Sequence, residues 1–225
     1  MDSANLFASF FERNLQKEQI IISPAIEIKF FSRPKILKKT TNLIFTSSNG
    51  VKAAGQAVND NIRAICVGDR TTSLASSLGY SAEKYGDNVE QLIKKLCLSK
   101  KIEGDILHIR GKYTKVDLMN RLREAGFLCH EWEGYDQIAK NLSFQALNAF
   151  KNGEKIILPI FSERSGRLLK DQIPNFDKSH IIAISSAVAN VFLDVSPASI
   201  SEAHTPDLAG MRSSTKTVLE NAHLE

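Results

Sequence analysis

Residues 43–54 have the sequence LIFTSSNGVKAA, and this stretch decides the predicted fold. The apolar residues 43–45 are typical of the end of a buried strand, and the small residues from Asn49 onward favour a helix. The hydroxyls of residues 46–48 therefore follow the carboxyl end of a strand and precede a helix N-terminus. Such a terminus has unpaired N–H groups and a partial positive charge, which suit carboxylates or phosphates.

The same order of strand, turn and helix recurs along the middle of the chain. Strands are predicted at 42–46, 63–67, 80–84, 105–109 and 127–133, with short helices between them. Strands that alternate with helices in this way predict βαβ units and a mostly parallel sheet. The predicted fold class is therefore α/β.

The pattern changes after Tyr135, which indicates a second domain. Further strands are predicted at 155–160, 180–184 and 198–202. At the start of the chain, the apolar spacing predicts a helix over 3–15, and the isoleucines of 19–23 predict a strand buried on both faces. Residues 25–39 are interpreted as a connector that leaves one domain for the other.

Composition and charge exclude several classes of protein. The chain has 225 residues, of which 43% are hydrophobic and 24% charged, as in an ordinary soluble globular protein. A net charge of +4 without a long block of like charge is too weak for a nucleic-acid-binding protein, although it allows a local basic cleft. No apolar run approaches the ~18 residues of a membrane helix, and the first residues do not resemble a secretory signal. We therefore expect a cytoplasmic protein.

Common cofactor and metal motifs are absent from the sequence. The three cysteines form no CxxC pair, and the histidines show no metal-binding spacing such as HExxH. No GxGxxG, P-loop or GxSxG motif occurs, so dinucleotide, nucleoside triphosphate and serine hydrolase functions lack support. We expect neither a metal nor a cofactor.

Two short segments occur twice in the same order. The sequence IFTS at 44–47 is echoed by IFS at 160–162, and AICVG at 64–68 is echoed by AISS at 183–186. These echoes indicate two similar α/β lobes with matching turns at their strand ends. Ligands of open α/β sheets bind outside those ends, so two lobes that faced each other would form one cleft. Chance likeness between buried strands is the alternative, and the repeat alone does not decide between them.

An ordered set of longer segments resembles uroporphyrinogen-III synthase. The segments are LIFTSSNGVKA, AICVGDRTTSLASSLGY with DNVEQL, ILHIRGKYTKVDLMNRLREAGFLCHEWEGYDQI, and IIAISSAVANVF with EAHTPDLAGM. Each segment alone is weak, but the set in this order is considerably more specific. The resemblance extends over residues 18–215.

The resemblance implies two flavodoxin-like α/β domains joined by a two-stranded connector. The first domain would be discontinuous, formed by 1–25 and 138–225, and the second would be inserted at 26–137. The family acts on hydroxymethylbilane, a linear tetrapyrrole rich in carboxylates, in haem biosynthesis. It inverts the terminal ring and closes the macrocycle with loss of water. The expected partner is therefore this small molecule, and the expected state is a monomer.

Two departures from the family pattern affect these expectations. Family members usually begin with a strand and a Thr-Arg-Pro turn, whereas this chain begins directly at a helix. The first domain is therefore expected to lack its first strand, and an inactive synthase-like domain is an open alternative. The turn after Ile184 often has threonines in the family, and here Ala187 and Val188 stand nearest. Ser185 and Ser186 are expected to serve as donors instead.

Tyr135 is the candidate catalytic residue. It matches the family tyrosine that follows a strand of the second domain, here in Gly134-Tyr135-Asp136. The reaction needs only a weak acid to assist the departing hydroxyl, and a phenol can supply it. An aromatic side chain that packs the connector is an equally open interpretation.

Turn residues at the strand ends are the candidate substrate contacts. The candidates are Ser47, Ser48, Asn49, Gly68, Thr71, Arg110, Gly111, Ser162, Ser185 and Ser186. Thr71 matches a family threonine in a Gly-x-x-Thr turn, and Arg110 follows a strand end and could pair with a carboxylate. For the hydroxyl residues, simple capping of a helix is the alternative.

The alternative function is that of a non-enzymatic, two-lobed protein that binds or senses a small anion. It shares the arrangement of two lobes around a cleft. Proteins of that kind in the periplasm carry a signal peptide, and none is predicted here. The synthase function therefore remains the first choice on sequence grounds.

Overall fold

The computed structural model describes residues 3–12, 20–35, 40–58, 61–99, 102–114 and 117–222. The chain divides into two compact units, Met1–Glu27 with Ala139–Glu225, called the terminal unit, and Ile28–Ile138, called the middle unit. Parts of the predicted helix over 3–15 and of the predicted connector lie outside the described residues.

Helices and strands alternate through both units, which confirms the predicted α/β class. The helices are α1 Ser3–Phe11, α2 Ser48–Ala54, α3 Asp69–Ser77, α4 Val89–Ser99, α5 Leu118–Glu124, α6 Phe144–Lys151, α7 Glu163–Lys170, α8 Ser186–Ala189 and α9 Leu208–Ala222. The strands are β1 Ile26–Phe30, β2 Asn42–Phe45, β3 Arg63–Val67, β4 Ser81–Gly86, β5 Ile106–Gly111, β6 Cys129–Ala139, β7 Ile156–Ile160, β8 Ser179–Ala183 and β9 Ser199–Glu202. None of these described helices is long and apolar enough to cross a membrane.

The sheet of the middle unit has the strand order β1-β6-β5-β2-β3-β4. Strands β2 to β6 pair in parallel. Strand β1 runs antiparallel to β6, because Phe31 N–H donates to Gly134 O at 2.9 Å while Lys140 N–H donates to Ala25 O at 2.8 Å. Counted along the chain, the parallel strands are ordered 3-2-1-4-5, which differs from the flavodoxin order that the resemblance implied. The direction of strand addition reverses between β2 and β5.

Alternation along the strands gives this sheet two apolar faces. Leu43 and Phe45 of β2 belong to a core that also contains Tyr135, and we call this side the tyrosine face. Ile44 and Ile106 belong to the opposite core. His108 follows Ile106 by two residues and therefore lies on that second side, which we call the histidine face.

Helix α2 lies against the end of β5 so closely that residue 50 has no room for a side chain. A Cβ atom added to Gly50 would stand 2.7 Å from the carbonyl oxygen of Ile109. Contact at that distance with backbone cannot be relieved by rotating a side chain. The glycine therefore sets the distance between the helix and the sheet.

Gly50→Ala is expected to lower the free energy of unfolding by about 2 kcal/mol, because α2 must move away from β5. Helix propensity alone would favour alanine by up to ~1 kcal/mol, so the sign of the change tests the close approach. Urea denaturation measures the effect. Lys52→Ala, at an exposed position of the same helix, is the control and should change stability by less than ~0.5 kcal/mol. A stabilised Gly50→Ala variant would contradict the prediction.

The terminal unit has a parallel three-stranded sheet in the order β7-β8-β9. The strand predicted at 19–23 is wrong for residues 20–23, which form no strand, and Gln19 lies outside the described residues. Ile20 and Ile21 nevertheless pack into two different cores. Burial on both sides is thus present, but a strand also needs a neighbour for its backbone hydrogen bonds, and within the described ranges no strand pairs with this segment.

Strand β7 is an edge strand of the described sheet. Ile156 N–H donates to Lys178 O and Ile184 N–H donates to Ile160 O, so the odd-numbered residues of β7 direct their backbone groups away from β8. Pro159 stands at such a position, and its missing N–H costs no hydrogen bond there.

Candidate active site

Ser47 begins helix α2 directly after β2. Its backbone is extended (φ −155°, ψ 155°), and its hydroxyl accepts a hydrogen bond from Gly50 N–H at 3.3 Å. Ser47 therefore caps helix α2, as the alternative interpretation of this residue predicted. Ser47 is only half-buried, as are Ser48 and Asn49 that follow it.

The hydroxyl of Ser47 also shares a hydrogen bond of 2.9 Å with the phenol oxygen of Tyr135. Tyr135 comes from β6, two strands away from β2, and its ring lies over the last residue of β5. That residue is Gly111, where an added Cβ would stand 2.9 Å from the ring. The glycine therefore provides the space in which the ring of Tyr135 lies.

A bulge in β6 decides which face Tyr135 occupies. Arg110 pairs with Glu133, but Gly111 pairs with Tyr135, so Gly134 is an extra residue. Strict alternation would place Tyr135 on the same face as Cys129, which packs in the core of the histidine face. The extra residue moves it to the tyrosine face, where Ser47 lies.

Thr46 makes the corresponding contact on the histidine face. Its hydroxyl shares a hydrogen bond of 3.3 Å with Nε2 of His108. His108 is only 3% exposed, and burial lowers the pKa of its imidazole to about 4, with a smaller opposing effect of Glu131. Its other ring nitrogen, Nδ1, is buried without a hydrogen-bond partner among the described residues.

Arg110 is occupied by acceptors of its own unit. Its Nε donates to Glu131 at 2.8 Å, Nη2 lies 3.1 Å from Glu133, and Nη1 donates to the carbonyl of Gly111 at 2.9 Å. The hydrogen bond to Arg110 lowers the pKa of Glu131. The side chain is 16% exposed, so a substrate carboxylate would have to replace one of these partners. The structure gives Arg110 the role of bracing the turn after β5.

The turn after β3 differs from its predicted form. Gly68 has φ +77°, a conformation that favours glycine, and its N–H already donates to Gly86 O at 2.8 Å. Helix α3 begins at Asp69, so Thr71 lies inside the first turn rather than at the cap. Thr71 is 6% exposed, close to the 7% of Tyr135, so burial alone does not separate these two candidates.

The predicted serines of the terminal unit also follow neighbouring strands, because Ile160 at the end of β7 pairs with Ala183 at the end of β8. Ser162 caps α7 and accepts from Ser165 N–H at 3.1 Å. Ser185 has the backbone of a cap but no side-chain capping bond, and Ser186 is exposed. These turns resemble the one after β2 in the middle unit.

Three residues of the site were not among the predicted candidates. Thr46 and His108 meet through a pairing of β2 with β5 that spacing alone does not reveal. Gly134 follows the strand predicted at 127–133, and only the longer observed strand, Cys129–Ala139, makes it a glycine inside a strand, where a bulge is expected. Among the described residues, no group of three or more His, Cys, Asp or Glu side chains could hold a metal ion.

Comparison with known proteins agrees with this architecture. The family model described as "Uroporphyrinogen-III synthase HemD" matches residues 13–212. No curated protein sequence matches the chain. The crystal structure of uroporphyrinogen-III synthetase from Helicobacter pylori 26695 is similar, with 18% identity, a TM-score of 0.67, and coverage of 86% of this chain and 91% of that one.

A second solved structure is more distant. It is a mutant uroporphyrinogen III synthase from the extremely thermophilic bacterium Thermus thermophilus, with 13% identity, a TM-score of 0.53, and coverage of 97% of this chain and 95% of that one. At these identities the solved structures support the fold alone. The family model extends over most of the sequence, and on that ground the chain belongs to the uroporphyrinogen-III synthase family.

Proposed function

We propose that the chain carries out its family's reaction at the carboxyl edge of the middle sheet, with Tyr135 as the weak acid. The family consists of lyases that cyclise hydroxymethylbilane. The observation that supports this site most directly is the 2.9 Å hydrogen bond between Ser47 and Tyr135. It lies where the order of strands reverses, between β2 and β5, which is where ligands of open α/β sheets bind.

The reaction requires one proton, delivered to the departing hydroxyl of the substrate. Departure of the hydroxyl of hydroxymethylbilane leaves an electrophilic methylene conjugated to a pyrrole. Tyr135 donates its phenolic proton to that hydroxyl, so that water leaves. The far ring then attacks through its substituted carbon, and the spiro intermediate reopens and rejoins at the free carbon of that ring. The proton lost from this carbon restores the phenol, and the net change is the loss of one water.

The main task of the enzyme is to position the substrate, because the free bilane closes without rearrangement. The enzyme must therefore bind a folded conformer of the chain of pyrroles. Ser48 and Asn49 lie half-buried beside Ser47, and we propose that they contact carboxylates of the bilane. Tyr135 is fixed by Gly111 below its ring and by Ser47 at its hydroxyl, which suits delivery of a proton to one fixed point.

A coupled assay tests the function. Hydroxymethylbilane is generated in place, the products are oxidised, and isomers III and I of the porphyrin are separated by chromatography. We expect isomer III in excess with the native chain and isomer I alone with the heat-denatured chain. Isomer I alone with the native chain would contradict the proposed function.

A binding measurement separates the two alternatives if no isomer III forms. An inactive synthase-like domain would still bind the bilane, which fluorescence quenching of the single tryptophan can report. A binding protein for another small anion would not. Neither alternative has an observation in its favour.

The remaining proposals concern the state of the protein. We propose a cytoplasmic monomer that binds no nucleic acid and whose two compact units are its two domains. The modest net charge of +4 supports the absence of nucleic acid binding. Size-exclusion chromatography with light scattering should give a mass close to 25.0 kDa, and a mass twice as large would contradict the monomer.

A further inference from the structure

The turn at residues 46–48 is held from both faces of the middle sheet. Thr46 directs its hydroxyl to His108 on the histidine face. Ser47, the next residue, directs its hydroxyl to Tyr135 on the tyrosine face. Since neighbouring residues of an extended chain point to opposite sides, fixing one of these side chains also fixes the direction of the other.

A histidine at position 108 lowers the stability of the folded protein relative to an apolar residue. Apolar neighbours on that face are Ile44, which pairs with His108 between β2 and β5, and Ile106, two residues before it. Its Nδ1 has no hydrogen-bond partner within the described residues, and a buried polar atom left unpaired costs stability. A leucine or phenylalanine would fill the same space without leaving a buried polar atom unpaired. Packing therefore does not account for a histidine at this position, whereas the hydrogen bond to Thr46 does.

The imidazole is neutral at physiological pH, since burial holds its pKa near 4. A neutral ring carries one N–H and one acceptor nitrogen. It can therefore share a single directed hydrogen bond with the hydroxyl of Thr46 without placing a charge in the core. Arg110 and Glu131, the charged groups that act on the ring, pair with each other at 2.8 Å.

We infer that His108 is a positioning residue, which holds Thr46 and thereby places Ser47 against the hydroxyl of Tyr135. This inference rests on the proposed function for its effect on catalysis, but not for its effect on the turn. His108 lies on the face of the sheet opposite to Tyr135. It acts through the backbone of the turn at the end of β2.

Two variants that remove the same hydrogen bond from opposite sides test the inference. His108→Phe keeps the volume of the ring, and Thr46→Val keeps the shape of threonine. Each is expected to lower kcat about tenfold with KM changed less than about twofold, because a small misplacement costs rate rather than binding. The double variant should be no slower than either single one. His108→Gln, which can offer a polar atom near the position of Nε2, should recover most of the rate.

Amide hydrogen exchange gives a second measurement that needs no activity. Gly50 N–H and Val51 N–H donate to the carbonyl of Ser47 at 3.1 and 3.4 Å, so they report how firmly the turn is held. Their exchange should be at least about fivefold faster in His108→Phe and Thr46→Val than in the native chain. Ile106→Val, a change in the same core away from Thr46, is the matched control and should leave both exchange and kcat unchanged.

The outcomes separate this inference from the proposed function. If native chain makes isomer III but His108→Phe keeps its kcat, or if the two single losses multiply in the double variant, the positioning role is overturned. If native chain makes no isomer III, the proposed function fails, and the exchange rates alone decide the positioning role. Unchanged exchange in both single variants would then overturn it.

Discussion

Replacing Tyr135 by phenylalanine is expected to lower kcat for isomer III about a hundredfold, the usual contribution of a positioned acid. Phenylalanine keeps the ring in its core and over Gly111, so only the hydroxyl and its bond to Ser47 are lost. The fold should therefore survive, with a thermal midpoint within a few degrees of the native value. Initial rates of isomer III and circular dichroism melting measure the two effects.

Tyr80 offers a matched control for the loss of a buried phenol. Its hydroxyl donates to Gly55 O at 2.9 Å within the same unit, and its ring is buried to a similar degree. Tyr80→Phe should lower stability slightly and leave kcat unchanged. If Tyr135→Phe also turned over at the native rate, Tyr135 would be a packing residue and the proposed acid would have to be sought elsewhere.

Acid is expected to weaken the middle unit through His108, by about 3 kcal/mol between pH 7 and pH 4. The folded pKa of His108 is about 4, below its ordinary value of 6.5. Between these values the unfolded chain binds a proton that the folded chain excludes. The contribution of neutral His108 to the free energy of unfolding is therefore complete above pH 6.5 and is lost as the pH drops towards 4. Burial is the main cause, and Glu131 and Arg110 act on the ring in opposite directions.

Urea denaturation of the native chain and of His108→Phe, each between pH 4 and pH 7, measures this effect. Subtracting the two curves removes the contribution of the carboxylates and of the other histidines. The free energy of unfolding of His108→Phe, relative to that of the native chain, should rise by about 3 kcal/mol as the pH falls from 7 to 4. Parallel curves would show that His108 does not exclude the proton.

Much of the fold was predictable because its signals are local. The apolar residues 43–45 predicted a buried strand, and β2, Asn42–Phe45, is buried along its whole length. Arg63–Val67 was predicted with its observed bounds. The hydroxyls after β2, β7 and β8 are at the carboxyl ends of strands, where the alternation of strands and helices predicted them. The α/β class and the family both follow from such runs.

The errors arise where a local pattern needs a distant partner. Residues 20–23 have the apolar character of a buried strand, but a strand is defined by hydrogen bonds to a neighbour. Helix α3 was expected near 72 and begins at Asp69, because Gly68 can adopt a positive φ and end β3 abruptly. Thr71 consequently lies within the first turn of the helix and not at its cap.

The sequence by itself determined the two sets of strand-and-helix units, the hydroxyl turns and the family, because apolar periodicity and short motifs depend only on neighbours along the chain. The tertiary structure decided which side chains meet. The extra residue Gly134 turns Tyr135 towards Ser47, and the pairing of β2 with β5 brings Thr46 to His108. Register and bulges depend on hydrogen bonds between segments about 60 to 90 residues apart, and no local period encodes them.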